Sequence, residues 1–238
     1  MRENVVANIR KALNNHADQK TADSSQRFFK EGEKALVHGV KSAEVRRIGK
    51  EFFRHIKALP KKEIFELCEE LWKSQYLEEA VIACVWSEAQ HKKYEPSDFE
   101  MFQHWVEVYV NNWAACDTLC NHTIGTFIMM YPEYIRELKK WANSPNRWVR
   151  RASAVTLIIP ARKGMFLGDI FEIADILLPD QDHMVQKGYG WMLKVASQAH
   201  EREVFEYVVS KKAVMPRTAL RYAIEKMPVQ LRTEAMRK

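Results

Sequence analysis

Long apolar runs are missing from this 238-residue chain. The longest, Ala80 to Trp86, falls far short of the ~20 residues that a membrane-spanning helix needs. The opening stretch, Met1-Arg2-Glu3-Asn4-Val5-Val6-Ala7-Asn8, has no hydrophobic segment of the kind that marks a secretory leader. Membrane and secreted classes are therefore not expected. Glycine and proline are scarce, at eight each, and no Gly/Ser-rich linker interrupts the chain, so one domain over residues 1–238 is expected. Cysteine is scarce too. Cys68, Cys84, Cys116 and Cys120, without a leader, read as reduced thiols of the cytosol. Cys116 and Cys120 stand four apart with His122 close behind. No second cluster follows at zinc-ligand spacing, so no metal is expected, and the cysteines read as small buried hydrophobes on a helical face.

Strand signals are nearly absent as well. Apolar residues recur instead at spacings of three and four, as in Phe65, Cys68, Leu71 and Trp72, the period of a helix with one buried face. Helix starts are legible. Pro60 precedes Lys61-Lys62-Glu63-Ile64, Ser74 can cap a stretch from Leu77, and Asp182 can cap one from Val185. The chain reads as all-α.

What is there is a repeat. Four segments begin at Leu77, Trp113, Val149 and Val185, each thirty-six residues after the last. Each starts with a large apolar residue and carries a small one three places on: Ala80, Cys116, Ala152 and Gly188. A small residue at a fixed helical position lets a neighbouring helix approach closely. A fifth segment, Arg217-Thr218-Ala219-Leu220-Arg221-Tyr222, is similar but arrives early. Periods of this length belong to two-helix repeats. The tetratricopeptide signature is not present, so the expectation is an α-solenoid superhelix of HEAT-like repeats, with function on the concave face made by the second helix of each pair. One segment departs from a plain helical join. Leu157-Ile158-Ile159-Pro160-Ala161-Arg162-Lys163-Gly164-Met165-Phe166 could be a short β-hairpin near 158–166 with a cationic tip, or an ordinary interhelical loop.

Lysine and arginine total 37 against 31 acidic residues, a formal charge of +6. The repeat lines up Arg150, Arg151 and Lys187, with Arg147 just before and Arg217 and Arg221 beyond. Cations near helix N-termini oppose the macrodipole, which favours anions there. They form either a solvated basic face or a groove in which side chains and helix N–H groups hold phosphates. Trp113 and Asp117 are four apart and share a helical face; Trp191 lies two repeats on. Asp117 could pair with Arg151 while the tryptophans fill the core. Alternatively, aromatic rings and a carboxylate make a box that steadies a cation, such as the oxocarbenium-like state of a breaking glycosidic bond. No companion carboxylate stands at a paired spacing, which argues against an ordinary sugar hydrolase.

Trp113-x-x-x-Asp117, Arg147-Trp148-Val149-Arg150-Arg151-Ala152-Ser153-Ala154, Val185-Gln186-Lys187-Gly188-Tyr189-Gly190-Trp191 and His38-Gly39-Val40-Lys41-Ser42-Ala43-Glu44-Val45-Arg46-Arg47-Ile48 resemble, in that family's order, the HEAT-like-repeat DNA alkylation repair proteins of the AlkD-like group. The likeness runs from about residue 25 to residue 225. It implies a monofunctional DNA glycosylase that removes cationic alkylpurines such as 3-methyladenine and 7-methylguanine, without metal or cofactor and without flipping the base into a pocket. By that resemblance Asp117 supports the developing sugar cation and positions water, Trp113 and Trp191 contact the lesion's deoxyribose backbone, and Arg151 binds a phosphate. Arg150, Arg147, Lys187, Arg217 and Arg221, with Arg162 and Lys163 on the 158–166 segment, complete the nucleic-acid-binding set. Double-stranded or branched DNA is the implied partner, and a monomer in a bacterial cytosol, associated with the nucleoid, the implied setting. Two departures are visible. Active members carry a further aromatic and an acid after the first tryptophan, where this chain has Ala114-Ala115. The 158–166 segment is similar to a branch with little or no excision, whose members bind branched DNA through an inserted hairpin.

Overall fold

The computed structural model describes residues 4–29 and 35–237; the start of the N-terminal stretch read for a leader, Met1 to Glu3, lies outside them. Contacts divide the chain into two compact units, Met1–Leu119 and Cys120–Lys238. The first holds α1 (Val5–His16), α2 (Gln19–Gln26), α3 (Ser42–Ile56), α4 (Lys61–Lys73), α5 (Leu77–Ala89), α6 (Asp98–Val108) and α7 (Trp113–Thr118). A π-helical stretch follows, Leu119–Ile124. The second unit holds α8 (Gly125–Met130), α9 (Ile135–Trp141), α10 (Arg147–Val155), α11 (Ile158–Arg162), α12 (Leu167–Leu177), α13 (His183–Ala196), α14 (Glu201–Lys211), α15 (Arg217–Ala223) and α16 (Val229–Met236). Among the described residues, pairing of extended chain is confined to one isolated bridge, Leu36 with Tyr76. The fold is all-α.

The thirty-six-residue repeat lands on α5, α7, α10 and α13, and the early fifth segment is α15. The small residue of each repeat is buried: Ala80, Cys116, Ala152 and Gly188. In the first unit α5 packs against α3, α4 and α7; in the second, α13 packs against α10, α12 and α15. Each helix therefore buries nearly all of its surface, and α13 leaves only His183, Lys187, Trp191 and Lys194 outside the buried set.

Two glycines make the packing of α13 possible. They are two residues apart on the helix, so they face opposite neighbours. A Cβ at Gly190 would stand 2.7 Å from Tyr222 Cβ and 2.8 Å from the Ala219 carbonyl oxygen, both on α15. One at Gly188 would meet the Arg151 side chain at 3.3 Å, on α10. Side-chain caps start three of the repeat helices. Asn112 accepts the Ala115 N–H, Asn146 the Trp148 N–H, and Asp182 the N–H groups of Met184 and Val185. Ser74 does not begin α5 as the sequence suggests. It ends α4, donating to the Leu71 carbonyl and accepting the Tyr76 N–H, and the intervening reversal is taken by Gln75 at φ 62°.

The possible hairpin at 158–166 is not formed. Residues Ile158–Arg162 are helical, and the chain turns back through Lys163 and Gly164, the latter at φ +73°. Burial decides the matter: Ile158 and Ala161, three apart on one helical side, are both 1% exposed. Pro160 falls in the first turn, where its missing N–H removes no helical bond. Two adjacent β-branched residues are too few to separate a strand from a helix by pattern.

Candidate nucleic-acid interface

In the first unit the candidate residues stand on α7. Ala115 and Cys116 face the core at 3% and 0% exposure, which leaves Trp113, Ala114, Asp117 and Thr118 on the half-buried side. Trp113 and Asp117 thus share a face, one turn apart, as their spacing predicts. The indole N–H of Trp113 points to the Phe28 carbonyl at 3.4 Å, and its ring lies 5.7 Å from that of Phe29, tilted by 35°.

Behind that face, two carboxylates at the start of α5 hold the loop before α3. Glu78 accepts the backbone N–H groups of His38, Gly39 and Val40 at 2.9–3.1 Å. Gly39 lies at φ +86°, and a Cβ there would meet the Asp18 carbonyl at 2.7 Å, so the glycine of the family-like segment has a steric cause. Glu79, 1% exposed, binds Arg10 at 3.0 Å and His38 Nε2 at 3.2 Å. Burial pushes its carboxyl up, but hydrogen bonds from His38 and Arg10, with the Arg10 charge, outweigh that and hold it below its ordinary value. The His38 ring stacks on Tyr76 at 4.0 Å. Nothing in the residue spacing announces this cluster; its members are up to 69 positions apart.

In the second unit, Trp191 lies on the half-buried stripe of α13, a turn beyond Lys187 and next to Lys194. Lys194 pairs with Glu225 at 3.1 Å and sits over the Tyr222 ring, joining this stripe to α15. The tryptophans divide sharply. Trp72, Trp86, Trp105, Trp141 and Trp148 are core residues at 8% exposure or less; Trp113 and Trp191 alone of the seven are not buried.

The cations divide as well. Arg147 binds Asp182 at 2.9 Å and lies over Trp148. Arg150 binds Asp180 at 2.6 Å and donates to the carbonyls of Ser144 and Pro145. The turn before α13 therefore answers the charge at the start of α10, and Asp182 both caps one helix and holds another. Arg151 is 4% exposed, lies across Gly188 and donates to the Met184 carbonyl. Lys187, Arg162, Lys163 and Arg221 make no side-chain hydrogen bond or ion pair with described residues, and Arg162, Lys163 and Arg221 are exposed. Arg217, also exposed, reaches the Met236 carbonyl at 3.5 Å. The spacing of the cations gave no sign of which were already paired, because Asp180 and Asp182 lie thirty or more positions away.

All four cysteines are buried and none is bridged; burial, then Glu69, pushes the Cys68 thiol up. Among the described residues no group of three or more His, Cys, Asp or Glu could hold a metal ion, and no helix is long and apolar enough to cross a membrane.

Fold and site together define a helical-repeat protein with two tryptophans outside the buried core and, among the described residues, several cations that hold no carboxylate. The model of the family described as DNA alkylation repair enzyme matches residues 9–227. The chain belongs to that family, and membership supports a role in DNA repair. No curated protein matches it. Among solved structures it is similar to one described as a predicted DNA alkylation repair enzyme from Enterococcus faecalis, with a TM-score of 0.78 and 15% identity over 90% of this chain and 98% of that one. At that identity the likeness bears on the fold.

Proposed function

We propose that the protein is a monofunctional DNA glycosylase acting on cationic alkylpurines, with Asp117 as its catalytic carboxylate. The observation that carries this reading is the half-exposed Trp113–Asp117 face of α7 in a chain of the alkylation repair family. A 3-methyladenine or 7-methylguanine base already bears a positive charge. As the C1′–N bond breaks, its electron pair neutralises the purine, and positive charge develops on the sugar. The Asp117 carboxylate stabilises that charge. It also orients a water whose oxygen bonds to C1′, while the proton released passes to the carboxylate or to solvent. The leaving base departs neutral, so no general acid is needed. Trp113 and Trp191 contact the deoxyribose backbone. Lys187, Arg162, Lys163, Arg217 and Arg221 take phosphates; Arg147, Arg150 and Arg151 brace the helices that carry them.

A single-turnover release assay on duplex DNA holding 7-methylguanine tests this. Asp117→Asn is expected to slow release by about 100-fold or more, the scale lost with one transition-state stabiliser, while duplex affinity stays within about twofold, since no phosphate contact is removed. Unchanged release in the variant would sink the assignment of Asp117.

A second reading has its own observations. Ala114-Ala115 stands where active relatives are expected to carry an aromatic and an acid, and Arg162 and Lys163 are exposed at the turn after α11. Both suit a non-excising binder of branched DNA. No release by the wild-type protein, with tight binding to a junction lost on deleting residues 162–164, would establish it.

A further inference from the structure

The last helices carry a groove that shares only Arg221 with the DNA reading. It has a volume of about 540 Å³ and is lined by the end of α15 and by one side of α16. Its wall is apolar: Val229, 62% exposed, and the half-buried Met236, over the buried Ile224. Its rim is cationic: Arg221, Arg232 and Arg237, all exposed and without side-chain partners among the described residues. The one carboxylate on the lining, Glu225, is bound by Lys194.

The surrounding sequence shares that sign. Residues 211–237 hold seven lysines and arginines against Glu225 and Glu234, so most of the chain's positive excess is concentrated there. Val229, exposed beside arginines that hold no carboxylate among the described residues, offers an apolar anchor within a cationic rim.

The occupant must use both features. A phosphate backbone would take the arginines and leave Val229 and Met236 uncovered. A short peptide that places one bulky apolar side chain beside two or three carboxylates covers the wall and neutralises the rim together. The volume is in the range of sites that enclose a few such side chains. We propose that this groove docks an acidic, apolar-ended peptide segment of a partner protein, held by Arg232, Arg237 and Val229.

Fluorescence polarisation with the full chain and a labelled pentapeptide, Asp-Glu-Asp-Leu-Phe, tests the proposal without any DNA present, so it stands or falls apart from the glycosylase reading. Saturable binding is expected. Arg232→Glu with Arg237→Glu, and separately Val229→Asp, should each weaken it by about tenfold or more, as for a groove anchor. Replacing the peptide's acids by lysine, or its Leu-Phe by Ser-Gly, should abolish it. Absence of saturable binding, or binding indifferent to these changes, overturns the proposal. So does a duplex oligonucleotide that displaces the peptide while the arginine reversals weaken the duplex more, which would assign the groove to nucleic acid.

Discussion

Glu79 holds three things at once: the charge of Arg10, the ring of His38 and, through that ring, the stacking on Tyr76. Its pair is nearly dry on one side and open on the other, since Arg10 keeps 40% of its side chain exposed. Breaking a buried ion pair by removing one partner costs roughly 3–5 kcal/mol, and solvent at Arg10 places this one near the lower end, about 3 kcal/mol. Glu79→Gln should therefore lower the urea midpoint of unfolding. The folded carboxyl is held below its ordinary value, so its contribution is full above the unfolded value near 4.3 and fades as pH falls through the lower folded one. The gap between wild type and Glu79→Gln should close on acidification over that window; a gap independent of pH would show that packing, not charge, carries the effect. At this scale the sequence was least informative. Trp113 and Asp117 were legible from a spacing of four, but the partners of Arg147, Arg150 and Glu79 are distant in the chain, and residue type alone does not say which cation is spoken for.

The helices were far more legible, because a buried stripe imposes its period on the residues. The spacing of thirty-six found α5, α7, α10 and α13 through their small residues, and α13 shows why. A helix packed on both flanks must be thin where it is crossed, and Gly188 and Gly190 are those places. The glycines of the second unit can be ranked accordingly. Gly190→Ala brings a Cβ within 2.8 Å of backbone on α15 and is expected to destabilise by about 1–3 kcal/mol, the cost of overpacking. Gly168, exposed in the first turn of α12 with nothing within 4 Å of a Cβ, should be improved by alanine, by about 0.5–1 kcal/mol. Thermal unfolding of the two variants should move in opposite directions; a stabilised Gly190→Ala would mean that α13 and α15 stand further apart. What the pattern could not supply was α11, where a pair of β-branched residues and a proline outweighed a helical turn only five residues long.

For the molecule as a whole, net charge was the most direct guide from composition to partner. A surplus of six positive charges favours polyanions without choosing among them. The structure separates the cations that already hold carboxylates, such as Arg147 and Arg150, from those that do not. If the five proposed side chains each neutralise a phosphate, duplex affinity should fall with a log–log salt slope of about −4.5, and Lys187→Ala should flatten it by about 0.9. A slope near zero would remove the phosphate model altogether.

The division of the tryptophans has an optical consequence. Five indoles sit in dry surroundings, so their emission should lie to the blue and resist an aqueous quencher such as iodide. The two that remain reachable are those on the proposed DNA-contacting faces, one in each unit. The protein thus carries its own pair of labels, and a Phe replacement at Trp113 or Trp191 leaves a single reachable fluorophore that reports on its own unit.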